Sequence, residues 1–344
     1  MNARRVAVIG AGMAGAACAR LLADAGRAVQ VFDKSRGVGG RMATRRAEWV
    51  GADGDRQQAS FDHGVPGFTA HAPEFLRFVE QAARDGLLAR WLPRRAPGSY
   101  APLDDPALWV ATPDMPALCR ALLSGIPLHT QRTVDALQRS AEGWRLLSDG
   151  VTVGEGFDAV VVAIPPAQAA ALLLAHQADW AQRAQALPMQ PCWVLMGVTP
   201  DEGVAPDWDL AWPNDGPLAW VLRNEAKPGR QAVPGQVHWV LQATARWSLT
   251  HLEAPPAEVQ AALQAALAAW LGKPLQWAHA AVHRWRYASV PRAAGTPVAG
   301  RCAWDAALGL GWCGDALGGS GVEGAWTSGR ALAAALTDPG GSGA

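Results

Sequence analysis

A strand, a glycine-rich turn and a helix follow one another within the first 25 residues, and that order restricts the fold more than any other feature of the sequence. Arg5-Val-Ala-Val-Ile9 is short, apolar and β-branched, the composition of a strand buried in a parallel sheet. Gly10-Ala-Gly12-Met-Ala-Gly15 follows at once, Ala16 to Ala25 reads as a helix closed by Gly26, and Ala28 to Phe32 reads as a second strand. This is β-turn-α-β with G-x-G-x-x-G in the required place. In such a unit Gly10 permits the tight turn, Gly12 lets backbone approach a pyrophosphate, and Gly15 lets the helix pack against the strand. The helix N-terminus, at Met13 and Ala14, supplies free N–H groups and partial positive charge. Asp33 stands eighteen residues after Gly15, where an acid accepts hydrogen bonds from a ribose hydroxyl.

A nicotinamide and a flavin dinucleotide satisfy that unit equally. The stretch Val31–Arg46, VFDKSRGVGGRMATRR, separates them. FAD runs on past its pyrophosphate and needs further anchors. Gly39 and Gly40 allow close backbone approach, and Arg41 offers paired donors to a phosphate. Lys34, Arg36, Arg45 and Arg46 raise the local potential, although Arg45 and Arg46 also suit a solvated basic loop. The C-terminal segment Gly309 to Leu336 echoes the pattern: a short strand, Leu310 to Cys313, ends at Gly314-Asp315, and a helix starts near Val322. Asp315 there can accept from ribityl hydroxyls or cap a helix. Glu323 is equally ambiguous, because acids are favoured in first turns.

These segments, with FDHG, LRNEAKPGR, HRWRY and GWCGDALGGSGVEGAWTSG, resemble the renalase-like branch of the flavin amine oxidase superfamily over nearly the whole chain. The resemblance implies non-covalent FAD in a two-domain fold of the p-hydroxybenzoate hydroxylase type. It implies a substrate resembling a dihydronicotinamide dinucleotide with the ring hydride at the wrong carbon, and oxygen as electron acceptor. Carried over residue by residue, it adds Met42, Asp62, His63, Gly64, Val134 and Val322 to the cofactor contacts, with Val134 at the adenine. It puts Trp285, Asn224, Gln242 and His63 on the substrate wall. It names no obligatory side-chain acid or base, since hydride passes to flavin N5. Two departures fall on that wall: Val65-Pro66-Gly67 replaces the usual Ala-Gln-Tyr, and Gln242 stands where a histidine is common. Gly321 occupies the position that amine oxidases often fill with a cage tyrosine.

The implied fold class is α/β with an α+β second domain. The FAD-binding domain takes residues 1–68, 107–166 and 286–338, and an antiparallel-sheet substrate domain takes 69–106 and 167–285. Residues 339–344 are expected to form a disordered tail. Within this frame Glu74 to Arg90 reads as an amphipathic helix, Gly51 to Gln58 as a polar loop, and Pro256 to Leu271 as a helix across a sheet. Composition sets the remaining limits. Thirty basic and thirty acidic residues give no net charge, which argues against a nucleic-acid or anionic-membrane partner. No apolar run reaches the roughly 20 residues that span a bilayer. The five scattered cysteines include no C-x-x-C pair and suit free thiols in the cytoplasm. No metal-ligand spacing occurs. Seventeen tryptophans against two tyrosines imply core packing and some cavity lining. Two other readings stand beside the leading one: an amine or another small hydride donor as substrate, or a flavin-binding redox sensor without turnover.

Overall fold

The computed structural model describes residues 4–51, 54–99, 107–201, 203, 206–291 and 300–338. Two sheets divide the work. A six-stranded sheet holds Arg5–Ile9 at its centre, between Ala28–Phe32 and Ala159–Val162. Leu128–His129 extends one side, and Leu310–Trp312 followed by Ala303–Asp305 extends the other. All pairings are parallel except the last. The central strands are apolar on both faces because both faces are covered: Val6, Val8 and Val161 pack into one cluster, and Ala7, Val160 and Val162 into another. This is the Rossmann-like half of a mixed α/β fold. Parallel pairing brings the C-terminal ends of the strands to one edge, which is where ligands bind in such sheets.

The second sheet is antiparallel, in the order Leu210–Ala211, Leu218–Arg223, Gln236–Ala243, Gln190–Pro200, His279–Ser289. Helix Pro256–Leu271 crosses it and buries Val259, Leu263 and Leu267. Helix Met13–Asp24 packs against helix Gly321–Thr337 on the first sheet. A side chain at Gly329 would overlap the backbone of Ala14, so glycine sets how closely those two helices cross.

Three local readings need correction. Gly51 to Gln58 is not simply a loop: it contains the turn of a hairpin, Thr44–Val50 with Arg56–Asp62. The expected helix to Arg90 stops at Arg84, where Gly86 takes a left-handed φ of 75°, and Leu88–Trp91 then pairs with Leu108–Ala111 as a ribbon. Helices Pro166–Leu173, Ala178–Ala186 and Ala245–Thr250 were not anticipated. The expected tail at 339–344 lies outside the described residues. Among the described residues no helix is long and apolar enough to cross a membrane.

Candidate active site

Two helices begin at the ligand edge of the parallel sheet, and neither has a side-chain cap: Met13–Asp24 after Gly12, and Gly321–Thr337 after Ser320. Their first N–H groups are therefore open to an anion. The glycines divide into two kinds. Gly10 has a φ of 107° and no room beside the Ala163 carbonyl, and a side chain on Gly15 would overlap the Gly10 carbonyl oxygen. The protein itself requires those two. Gly12 has an ordinary φ of −78°, and an added Cβ would come no closer than 3.9 Å to anything. Gly314 is extended and also free of neighbours. Neither backbone strain nor packing explains these two glycines, whereas a group lying against the backbone does. They flank the centre of the edge, so the cradle fits a dinucleotide.

Asp33 ends the second strand, buried. Its carboxylate accepts from Ala11 N–H and Ser35 N–H, both at 2.7 Å, which fixes the glycine loop to the following turn. Its backbone carbonyl accepts from Arg132 N–H at 2.9 Å, which brings the buried Val134 segment alongside. Lys34 is exposed, Gly40 has a φ of 54° against Gly12, and Met13, Ala14 and Met42 are buried. Arg41 and Asp315, 274 residues apart, form a bidentate pair at 2.7 and 2.8 Å. The pair joins the N-terminal and C-terminal anchor segments, so each of these two expected cofactor contacts is also the other's partner. Ser328 holds the same segment, accepting from Gly314 N–H and donating to the Arg301 carbonyl. Val322 is buried in the first turn of its helix. Glu323 is not oriented for a cofactor: its carboxylate accepts from His71 and Ala72 N–H at 2.9 and 2.7 Å and so caps helix Pro73–Arg84.

The residues expected on the substrate wall are instead committed to the chain's own backbone. Asn224, buried, accepts from Asp62 N–H at 3.1 Å and donates to the Ser60 carbonyl at 2.9 Å. Trp285 donates to the His63 carbonyl at 2.8 Å, and Gln242 donates to the Gly64 carbonyl at 2.5 Å. Two side chains of the antiparallel sheet, Gln242 and Trp285, and one from the turn after its strand Leu218–Arg223, Asn224, thus grip three consecutive residues, Asp62, His63 and Gly64. Gly64 must be glycine because a Cβ there would overlap the Arg41 carbonyl. Trp285 also stacks on His63, with centroids 5.2 Å apart and planes at 25°. His283 meets both rings edge-on. Burial, with help from His283 and Arg45, depresses the His63 imidazole to about 4, so it is neutral at pH 7.

Asp62 was expected to neighbour the flavin, but its carboxylate points into a buried cluster. Thr44 Oγ1 donates to one oxygen at 2.7 Å, while Lys227 Nζ at 3.1 Å and Arg230 Nη2 at 2.7 Å meet the other. Burial alone would raise the Asp62 carboxyl, but the Lys227 and Arg230 cations bring it below its ordinary value. Burial pushes Lys227 down despite Asp62. Lys227, Arg230, Thr44 and Ser328 were not singled out from the sequence. Lys227 and Arg230 lie in the quoted KPGR turn, and their spacing of three residues around proline and glycine was the available signal.

Two family models match the chain: an NAD(P)-binding Rossmann-like domain over residues 8–82, and the flavin-containing amine oxidoreductase family over residues 107–337. Two curated relatives are tRNA 5-methylaminomethyl-2-thiouridine biosynthesis bifunctional proteins. The one from Magnetococcus marinus is 31% identical over 51% of this chain, and the one from Thiobacillus denitrificans is 31% identical over 46%. The matches take in about a third of those proteins' own length, 31% and 32% respectively. Among solved structures, a candidate protoporphyrinogen oxidase from Exiguobacterium sp. 255-15 superposes with a TM-score of 0.71 at 11% identity, covering 98% of this chain and 99% of that one. Cyclohexylamine oxidase from Brevibacterium oxydans gives 0.59 at 15%, covering 98% and 99%. At those identities the likeness is one of fold.

Proposed function

The chain belongs to the flavin-containing amine oxidoreductase family, and on that premise we propose that it binds FAD non-covalently and oxidises a dihydronicotinamide dinucleotide whose ring hydride sits at the wrong carbon, with oxygen as the electron acceptor. The fold would then be of the p-hydroxybenzoate hydroxylase type and the branch renalase-like. When bound, the flavin supplies the hydride acceptor. The chain supplies position and charge. Gly12, Gly314 and the two uncapped helix N-termini would hold the phosphates and the flavin's polar edge, Arg41 and Asp315 would meet the pyrophosphate and ribityl chain, and Asp33 and Val134 would meet the adenosine end. The grip on Asp62, His63 and Gly64 keeps the segment beside the ring rigid. Non-covalent attachment is supported by the thiols. Cys18, Cys119 and Cys313 are buried, burial pushes Cys119 and Cys192 up to about 12, and it also raises the half-buried Cys302, so none of the five is a ready nucleophile at pH 7.

The observation that carries the substrate reading is the chemistry around His63. The rings of His63, His283 and Trp285 meet there, and both imidazoles are held below their ordinary pKa by burial first and by Arg45. Asp62, the carboxylate that acts on His63, is already spent on Lys227 and Arg230. A protonated amine finds no free acid in that set, while a flat, uncharged dihydropyridine finds rings to stack on. Family membership keeps an amine as the second reading, and the curated relatives' names suggest a methylaminomethyl-bearing nucleoside as its first probe. Anaerobic mixing of the yellow protein decides. Isomeric dihydronicotinamide dinucleotides should bleach the flavin faster than cyclohexylamine, putrescine or that nucleoside. Bleaching by an amine alone would overturn the dinucleotide reading. Acid denaturation should release intact FAD into the supernatant, and flavin retained on the polypeptide would end the non-covalent claim.

A further inference from the structure

Among the described residues five buried polar side-chain atoms have no hydrogen-bond partner, and three of them, Trp49 Nε1, His63 Nδ1 and His279 Nε2, line one seam. The seam runs between the hairpin Thr44–Val50/Arg56–Asp62 and the strand His279–Ser289. Trp49 stacks on His279 with centroids 4.9 Å apart, and Phe61 lies over the same imidazole at 6.5 Å. His63 meets His283 edge-on at 4.8 Å, one four-residue step further along that strand. Buried polar atoms without partners are rare in a folded protein, and two on the stacked rings of Trp49 and His279 call for an explanation.

Arg45 stands on the same face. It pairs in register with Phe61, and alternation along the strand places Arg45, Ala47 and Trp49 on one side. The side chain is exposed and forms no ion pair among the described residues. Its charge nonetheless reaches His63, His279 and His283, and in each it adds to burial in holding the imidazole neutral. A solvated arginine would account for the exposure but not for the unpartnered nitrogens around it. A metal ion does not suit the seam. The guanidinium repels a cation, and no group of three or more His, Cys, Asp or Glu able to hold a metal occurs among the described residues. An anion suits it. Arg45 supplies the charge, the Trp49 indole is a donor only, and each neutral imidazole donates from one nitrogen.

We propose that the Trp49–His279 end of this seam is an oxyanion subsite, with Arg45 as the charge partner and Trp49 and His279 as donors, and that it takes a phosphate of the substrate. The identity of the phosphate's owner rests on the dinucleotide reading above, whereas the existence of the subsite does not. It explains how a site lined by neutral rings near the flavin could select a nucleotide over a free nicotinamide ring: the ring stacks, and the phosphate is held by charge a few residues away.

The test uses the flavin-loaded protein, unreactive oxidised ligands and the flavin spectrum or tryptophan fluorescence as readout. Nicotinamide mononucleotide should bind about tenfold or more tighter than nicotinamide riboside, which lacks the phosphate. Arg45→Gln should weaken the mononucleotide by about ten- to a hundredfold, the worth of a charge-assisted hydrogen bond, and leave the riboside unchanged. Trp49→Phe keeps the ring and removes the donor, so it should weaken the mononucleotide by a smaller factor. Inorganic pyrophosphate separates this proposal from the substrate reading. If neither nicotinamide ligand binds but pyrophosphate does, and Arg45→Gln abolishes that binding, the subsite stands and the dinucleotide reading falls. If dihydronicotinamides bleach the flavin while wild-type protein ignores pyrophosphate, the subsite falls and the reading stands. Equal weakening of mononucleotide and riboside by Arg45→Gln, with unchanged flavin content, also overturns the subsite.

Discussion

The cradle at the edge of the parallel sheet and the gripped segment under the antiparallel sheet differ in what they are made of. The cradle is mainly backbone: glycines, two uncapped helix starts, and a carboxylate, Asp33, whose oxygens accept backbone N–H groups. Its parts fall in two stretches, one at each end of the sequence, and each stretch is short enough for a local motif to encode. The gripped segment is held by side chains brought from far away. Asn224 reaches Asp62, Gln242 reaches Gly64 and Trp285 reaches His63, across 162, 178 and 222 residues. A backbone site tolerates little change in shape but much in chemistry outside its glycines. A side-chain site depends on each donor finding its acceptor. Substitutions should therefore fail differently in the two regions, by overlap in the first and by unpaired polar groups in the second.

The largest effect is expected where the second region is most buried. Asp62→Asn leaves Lys227 and Arg230 without their counter-charge, with side chains 0% and 4% exposed. Removing one partner from such a pair costs about 3–5 kcal/mol. The denaturation midpoint should drop accordingly, and a loss under about 1 kcal/mol would show that the cluster does not tie the hairpin to the Lys227–Arg230 turn.

Acid should expose the same region next. The folded His63 stays neutral down to about 4, whereas an unfolded histidine takes up a proton near 6.5. Between those values the unfolded state binds more protons, so stability is full above pH 6.5 and falls as pH drops toward 4. The loss approaches about 3 kcal/mol for His63 alone, with His279 and His283 adding in the same direction. Chemical denaturation at pH 7 and pH 5 measures it, and His63→Gln should flatten the slope. An unchanged slope would mean that the imidazole is solvated.

In the first region two glycine variants should part company. Gly15→Ala places a methyl into the Gly10 carbonyl and should cost about 1–3 kcal/mol or more of stability. Gly12→Ala meets nothing closer than 3.9 Å, so the apoprotein should melt as wild type does while flavin affinity falls. Equal stability losses in both would remove the distinction between packing glycines and ligand glycines.

What was legible in the sequence follows the same divide. The strand-turn-helix at Arg5–Asp24 and the helix Pro256–Leu271 could be read from local pattern: the first is mostly apolar around a fixed glycine spacing, and the second buries Val259, Leu263 and Leu267 at every fourth residue. The hairpin at Thr44–Asp62 could not. Its strands are studded with Arg, Glu and Gln because much of both is exposed, and they read as loop. Glu323 shows the limit for single residues. An acid in a first turn suits a cofactor, a dipole or a neighbouring helix, and only the fold brings His71 and Ala72 to it. Asn224, Gln242 and Trp285 are grouped by the sequence reading as amides and an aromatic facing a ligand, whereas in the fold they meet the Asp62–Gly64 backbone. Their polar atoms answer backbone groups that no sequence pattern announces.

The smallest effect tests the grip itself. Trp285→Phe keeps an aromatic ring against His63 and removes only the indole N–H from the His63 carbonyl. The loss should be about 1 kcal/mol. Gln242→Leu removes the neighbouring donor to Gly64 and should cost a similar amount. Because both bonds restrain adjacent residues of one segment, the double variant should cost more than the sum: after either is lost the other alone limits how far the segment can move, and losing both frees it. A denaturant-based double-mutant cycle measures that excess. Strict additivity would mean that the two bonds act on independent parts of the backbone, and that the segment's rigidity comes from the close contact of Gly64 with Arg41 rather than from the side chains above it.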